Sequence, residues 1–198
     1  MHDTTARDDN NVWKGVAAGL IGGLVASWTM NRFQDVWSTV AKSVAAGEGN
    51  QFQKVSGEHD KGCEETSGTQ ELEFSSKPEV PDDTTMKAAS AVSEGVFGHE
   101  LTQIEKKIAG TAVHYLLGTG VGGLYGAVAE TAPNVTTGGG LPFGAVFWLV
   151  VDEGAVPLLG LSKGPMAYPP SIHADALSSH FVYGLTAEMV RRAVRGAL

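Results

Sequence analysis

IAGTAVHYLLGTGVGGLYGAVA, residues 108–129, runs for 22 residues without an acid, a lysine or an arginine. A helix of that length crosses about 30 Å of hydrocarbon. The glycines decide how the length is read. Gly118, Gly122 and Gly126 recur at every fourth position. In a water-soluble helix an interior Gly costs about 1 kcal/mol relative to Ala. In lipid, small residues let two backbones approach closely, and dispersion supplies the attraction that hydrophobicity cannot. The segment therefore reads as a membrane span with a packing face.

The same pattern lies upstream in GVAAGLIGGLVASWTM, residues 15–30, where Gly15, Gly19 and Gly23 are followed by Ser27. Trp13 and Trp28 flank it as interface aromatics do, and Lys14 can reach back to headgroups. Phe33, Val36, Trp37 and Val40 fall on one helical face, so residues 13–46 are expected to form a first membrane helix with an amphipathic extension. Residues 1–12 are a polar tail. MHDTTARDDNN does not read as a signal peptide, because its charge is mixed and no small-residue cleavage site follows a short apolar region.

Downstream, Pro133–Gly138 makes a link, a third span runs from Gly139 to about Leu161, and Lys163–Pro170 connects to a fourth, SIHADALSSHFVYGLTAEMV, residues 171–190. RRAVR closes it with Arg191, Arg192 and Arg195 at the helix C-terminus, where cations are favoured. Residues 47–84 differ from all of this. They are rich in Gly, Ser, Glu, Asp and Lys, bury too little apolar area to offset ordering, and read as a flexible acidic loop with room for a hairpin near Leu72–Phe74. Residues 85–198 are expected to form an amphipathic helix plus three spans. From Thr84, Met86, Val92, Val96, Leu101, Ile104 and Ile108 share one side of a predicted helix that lies in the interface plane.

The averages conceal these two kinds of segment: net charge is -8 and mean hydropathy is -0.03. The single cysteine, Cys63, excludes an internal disulfide and has no companion at metal-ligand spacing. There is no basic stripe for nucleic acid. Basic residues near the span ends balance between the two sides, so the terminal Arg cluster alone tips the expected topology towards cytoplasmic termini.

Titratable groups inside the spans carry the functional expectation. His114 lies four residues before Gly118 and Glu130 four after Gly126; His173 and His180 are seven apart, with Gly184 and Glu188 continuing that stripe. In FWLVVDEGAVPLL, residues 147–159, Asp152 and Glu153 interrupt an apolar run. On a helix they point about 100° apart, so one at most faces a given neighbour squarely. Pro157 leaves the Glu153 carbonyl without its helical donor, which predicts a kink or break. An ionised carboxylate near mid-bilayer costs about 2.5–3.5 kcal/mol even on the lenient insertion scale. These acids must meet a partner, face the bundle interior or be protonated, and His114, His173 and His180 are the candidate partners. Three readings follow: helix-bridging hydrogen bonds, with the third span ending near Val151 and the acids capping an interfacial break; a proton or ion pathway; or a metal site of two histidines and a carboxylate. The seven-residue His spacing is not the HExxH arrangement of adjacent turns, and no G-x-S-x-G elbow is present.

The stretches EGVFGHELTQIEKKIAGTAVHYLLGTGVGGLYGAVAE and WLVVDEGAVPLLGLSKGPMAYPPSIHADALSSHFVYGLTAEMVRR resemble the YagU-like family of small bacterial inner-membrane proteins, a domain of unknown function. The resemblance covers the first span and roughly residues 93–195. It implies a multi-pass helical protein of the inner membrane and brings no reaction, substrate or catalytic residue.

The expectation is an all-α integral membrane helical bundle with about four transmembrane helices and a long polar loop after the first. The expected partner is the lipid bilayer, with a homo-oligomer or larger membrane complex in view; no cofactor, metal or catalytic residue is expected, and the role is non-enzymatic. That role is proton or ion permeation, or pH response, through His114, Glu130, Asp152, Glu153, His173, His180 and Glu188. The alternative is a structural or accessory subunit that packs on other membrane proteins through its glycine faces, Gly15, Gly19, Gly23, Gly118, Gly122, Gly126 and Gly184. A soluble helical bundle is the third class; four long apolar segments in one small chain count against it.

Overall fold

The computed structural model describes residues 5–56 and 83–198, with side chains described for 12–43 and 83–198. All regular structure among the described residues is helical. The order is α1 (Thr5–Ser56), α2 (Thr84–Val92), a π-helical turn (Ser93–Phe97), α3 (Gln103–Thr131), a 3-10 segment (Pro133–Gly140), α4 (Leu141–Val150), a second π turn (Val151–Ala155), α5 (Val156–Leu158), a short 3-10 turn (Pro165–Ala167) and α6 (Pro170–Ala197). The chain divides into two compact units, one of residues 1–34 with 82–198 and one of residues 35–81.

The second unit is described for residues 35–56, a continuation of α1. Residues 35–43 are exposed, and the hydroxyls of Thr39 and Ser43 donate to the carbonyls of Asp35 and Thr39 one turn earlier, at 2.9 and 3.1 Å. The helix runs to Ser56, ten residues into the stretch expected to be a loop from Gly47. The rest of that stretch, with Cys63 and the hairpin near Leu72–Phe74, lies outside the described residues.

In the first unit α1 and α3 lie antiparallel with their glycine faces together. A Cβ on Gly122 would stand 2.6 Å from the Gly19 carbonyl oxygen, and one on Gly23 would stand 2.5 Å from that of Gly118. Gly126 meets Gly15 and Gly19 in the same way. Helix α6 packs on α4 by a second contact of this kind, Gly184 against Gly140 and Gly144, and on α1 where a Cβ on Gly22 would lie 2.7 Å from the Ala187 carbonyl oxygen. The glycine faces are thus filled within the chain. The ends of α1 and α6 come together, where the Lys14 ammonium donates to the Leu198 carbonyl at 2.9 Å.

The interior combines a cluster of Ala26, Met30, Phe147, Tyr183 and Ala187 with the buried polar groups Ser27, His180, Glu188 and Arg191, while Leu116 (73% exposed), Leu124 (66%) and Val150 (59%) face outward. Aqueous folding places residues such as Leu and Val inside and leaves charged groups out.

Two breaks position the functional residues. Residues 84–108 do not form the single helix expected. Gly98 adopts φ 64°, which favours glycine, and Thr102 starts α3 afresh with a capping box in which Thr102 and Glu105 satisfy each other's backbone N–H groups. Of the side expected to be apolar, Met86 is buried in the protein and Val92, Val96, Ile104 and Ile108 are exposed. The second break is the one Pro157 predicts. The helix widens into the π turn at Val151–Ala155, where the Val156 N–H bonds back five residues to the Val151 carbonyl. With no N–H at residue 157 to serve the Glu153 carbonyl, the ladder shifts register by one residue there.

Candidate functional site

A cavity of about 750 Å³ opens among the helices of the first unit. Its lining includes exposed Asp83, Lys107 and Lys163 and buried Phe147 and Tyr183. Five of the seven titratable residues singled out in the sequence line it: His114 from α3, Asp152 and Glu153 from the π turn, and His173 and His180 from α6.

The π turn lets both adjacent acids reach the same helix. Glu153 Oε1 lies 2.6 Å from His173 Nδ1, and Asp152 Oδ2 lies 3.8 Å from His180 Nδ1. The two histidines are two turns apart on α6, about 10 Å along the axis. A regular helix presents one of two adjacent side chains to a neighbour; the widened turn, facing two histidines well separated along α6, presents both.

Hydrogen bonds fix where the protons sit. His173 Nε2 is 3.0 Å from the Pro165 carbonyl oxygen, which only accepts, so Nε2 carries a proton. Nδ1 and the Glu153 carboxyl, 2.6 Å apart, are then joined through one proton. His180 Nδ1 is 2.9 Å from the Ala176 carbonyl oxygen and donates to it. In neutral His180 that bond leaves Nε2 as the ring's hydrogen-bond acceptor. His114 Nε2 is buried and has no hydrogen-bond partner among the described residues. A buried imidazole nitrogen without a partner is costly unless a hydrogen-bond donor or a ligand reaches it.

Glu130 and Glu188 lie apart from this group, at the end of the unit where Lys14 meets Leu198. Glu188 is 1% exposed and fully partnered: Arg191 donates at 2.7 and 2.9 Å, the Tyr125 hydroxyl donates at 3.0 Å, and Arg192 completes the set. Glu130 accepts from Arg195 at 2.7 and 3.2 Å. The Glu188 hydrogen bond raises the affinity of Arg191 for its proton further, and that of Glu130 does the same for Arg195. The Arg run at the end of α6 is therefore a set of ion-pair partners more than a complement to the helix dipole. Spacing offered a signal, since Glu188 precedes Arg191 and Arg192 by three and four residues.

An aromatic layer separates the two groups. Tyr125 stacks on Phe143 with centroids 4.0 Å apart, and Phe147 lies 5.0 Å from Tyr183, whose hydroxyl donates to the Gly118 carbonyl at 2.6 Å. Reasoning from sequence passed over these tyrosines, because a buried Tyr in an apolar run resembles any core residue until its hydroxyl finds a partner. Among the described residues no three His, Cys, Asp or Glu side chains converge as metal ligands would. The arrangement is suited to holding and releasing protons at two His–carboxylate pairs.

No curated protein and no solved structure matches the chain. The model of a family described as a protein of unknown function, DUF1440, matches residues 83–189. That span runs from the N-cap of α2 through every residue of α3, α4 and the π turn named in the cavity and into α6, and the chain belongs to the DUF1440 family.

Proposed function

We propose that this is an integral membrane protein that takes protons into a cavity between its helices, through the Asp152–His180 and Glu153–His173 pairs, as the working step of proton permeation or pH response. The observation that carries this reading is the convergence of His114, Asp152, Glu153, His173 and His180 on one cavity. Ionisable groups at membrane depth are costly and by default functional.

Four spans are proposed, in α1, α3, α4–α5 and α6. One stretch, Pro133–Leu158, meets the length and composition of a span, and only 11% of its most apolar window is buried, unlike the core helix of a protein in water. The outward-facing Leu and Val of α3 and the buried polar groups support the remainder. The resemblance to YagU-like proteins supports the inner membrane, and the terminal arginines support cytoplasmic termini. The accessory-subunit reading loses the surfaces it relied on, because the glycine faces already pack within the chain.

The test is pH-driven proton flux in liposomes holding the purified protein. Asp152→Asn and Glu153→Gln should each abolish most of the flux while the protein keeps its melting profile. Flux that survives the double substitution sinks the reading.

A further inference from the structure

Helices α3 and α6 carry the same short sequence. Tyr125-Gly126-Ala127-Val128-Ala129-Glu130 matches Tyr183-Gly184-Leu185-Thr186-Ala187-Glu188 at Tyr, Gly, Ala and Glu. The matched glycines occupy similar places, while the tyrosine hydroxyls differ, Tyr125 donating to Glu188 and Tyr183 to the Gly118 carbonyl. Gly126 packs on Gly15 and Gly19 of α1, and Gly184 packs on Gly140 and Gly144 of α4. A Cβ on Gly15 would strike the Glu130 side chain, and one on Gly140 would stand 2.9 Å from the Glu188 Cβ. Both tyrosines and both alanines are buried, and both glutamates are held by arginine. The hairpins α1–α3 and α4–α6 are therefore two copies of one antiparallel unit. They run in the same direction, since bonds join Tyr125 to Glu188 and Glu130 to Arg195 at the same end.

The cavity lies between the copies. Ser27, His114 and Gly118 come from the first, and Asp152, His173 and His180 from the second. Exposed Lys107, near the start of α3, and exposed Lys163 line one end of the cavity. On the opposite side the copies are closed by the aromatic layer and then by two polar contacts, Tyr125 to Glu188 and Arg195 to Glu130. Membrane carriers built from repeats hold their site at the repeat interface and expose it to each side in turn by rocking one repeat against the other.

We propose that the two hairpins rock in this way, so that the cavity closes towards Lys107 and Lys163 and opens towards the chain ends when the Tyr125–Glu188 and Glu130–Arg195 contacts part. The chain is then a carrier with alternating access and not a continuous pore. The identity of the cargo as the proton rests on the proposed function; the two-sided access does not.

The experiment reads access directly. In a Cys63→Ser background, Ala176→Cys places one thiol in the cavity wall, and an impermeant maleimide is applied from either side of sealed vesicles. Without further change the thiol should react chiefly from the Lys107 side. Adding Arg195→Gln with Tyr125→Phe should raise reaction from the side of the chain ends about tenfold, as a shift of the two-state equilibrium by one decade would. Should that pair of changes prevent folding, Arg195→Lys with Tyr125→Phe is the milder lock variant. Folded lock variants that still react only from the Lys107 side overturn the proposal. Two-sided access without proton flux leaves the carrier standing and removes the proton as its cargo.

Discussion

Glu105 shows how one side chain sets a local pH dependence. Its carboxylate accepts from the Thr102 backbone N–H and hydroxyl, both at 2.8 Å, and these bonds hold its pKa below the ordinary glutamate range. A depressed folded pKa contributes stability that is present above the unfolded value and lost as pH falls through the folded one. Protection of the Thr102 amide against hydrogen exchange should therefore fall as pH drops below about 4.3, the ordinary Glu value, and Glu105→Gln should flatten that dependence. Thr102→Ala should destabilise the start of α3 by about 1 kcal/mol. Glu188 is the opposite case, a buried acid whose role is structural. Glu188→Ala strands Arg191 without its partner and should cost about 3 kcal/mol or more, measured by thermal unfolding in detergent. The sequence marked Glu188 and His180 alike, as polar residues on one stripe. Only their neighbours separate the ion-paired acid from the histidine that lines the cavity.

At the scale of elements, the α1–α3 contact depends on the absence of side chains. Gly122→Ala would place a Cβ against the backbone of Gly19 and Gly23 and should cost about 1–3 kcal/mol through forced separation. Gly120 sits on the same helix with nothing within 4 Å of an added Cβ. Gly120→Ala should leave stability unchanged or improve it by up to about 1 kcal/mol. Melting temperatures of the two variants decide the matter. The π turn gives a second prediction. Pro157→Ala restores an N–H for the Glu153 carbonyl and allows a regular helix, which turns Glu153 away from His173. The imidazole resonances of His173 should then lose the carboxylate contact. The break itself was legible from Pro157. Its form as a widened turn was not, because a missing donor is satisfied equally by a kink, a bulge or a helix end.

For the whole molecule, the membrane assignment predicts that the protein stays with the bilayer through carbonate washing. Release into the soluble fraction would remove the assignment, and Asp152 and Glu153 would become residues of a water-filled surface groove. Cys63 reports topology in intact cells. Its reaction with an impermeant maleimide only after the inner membrane is opened would reverse the expected orientation of the termini. At this scale too the sequence spoke in part. Glycine periodicity marked the faces of α1 and α3, because close backbone approach demands small residues at fixed spacing. The break at Gly98 was missed, since apolar residues from Met86 to Ile108 kept a helical period that the Thr102 capping box overrode.

The sequence by itself determined that the chain is helical, that α1 and α3 carry glycine faces, and that Pro157 interrupts the third apolar segment. These follow from composition and period, which act within one helix. Tertiary structure decided the rest. It split the seven titratable residues into five around a cavity and two held by arginines. It also placed Gly126 against Gly15 and Gly19, and Gly184 against Gly140 and Gly144. The pairings of Tyr125 with Glu188 and of Glu130 with Arg195 join residues some 60 positions apart, and no local period records which helix lies beside which.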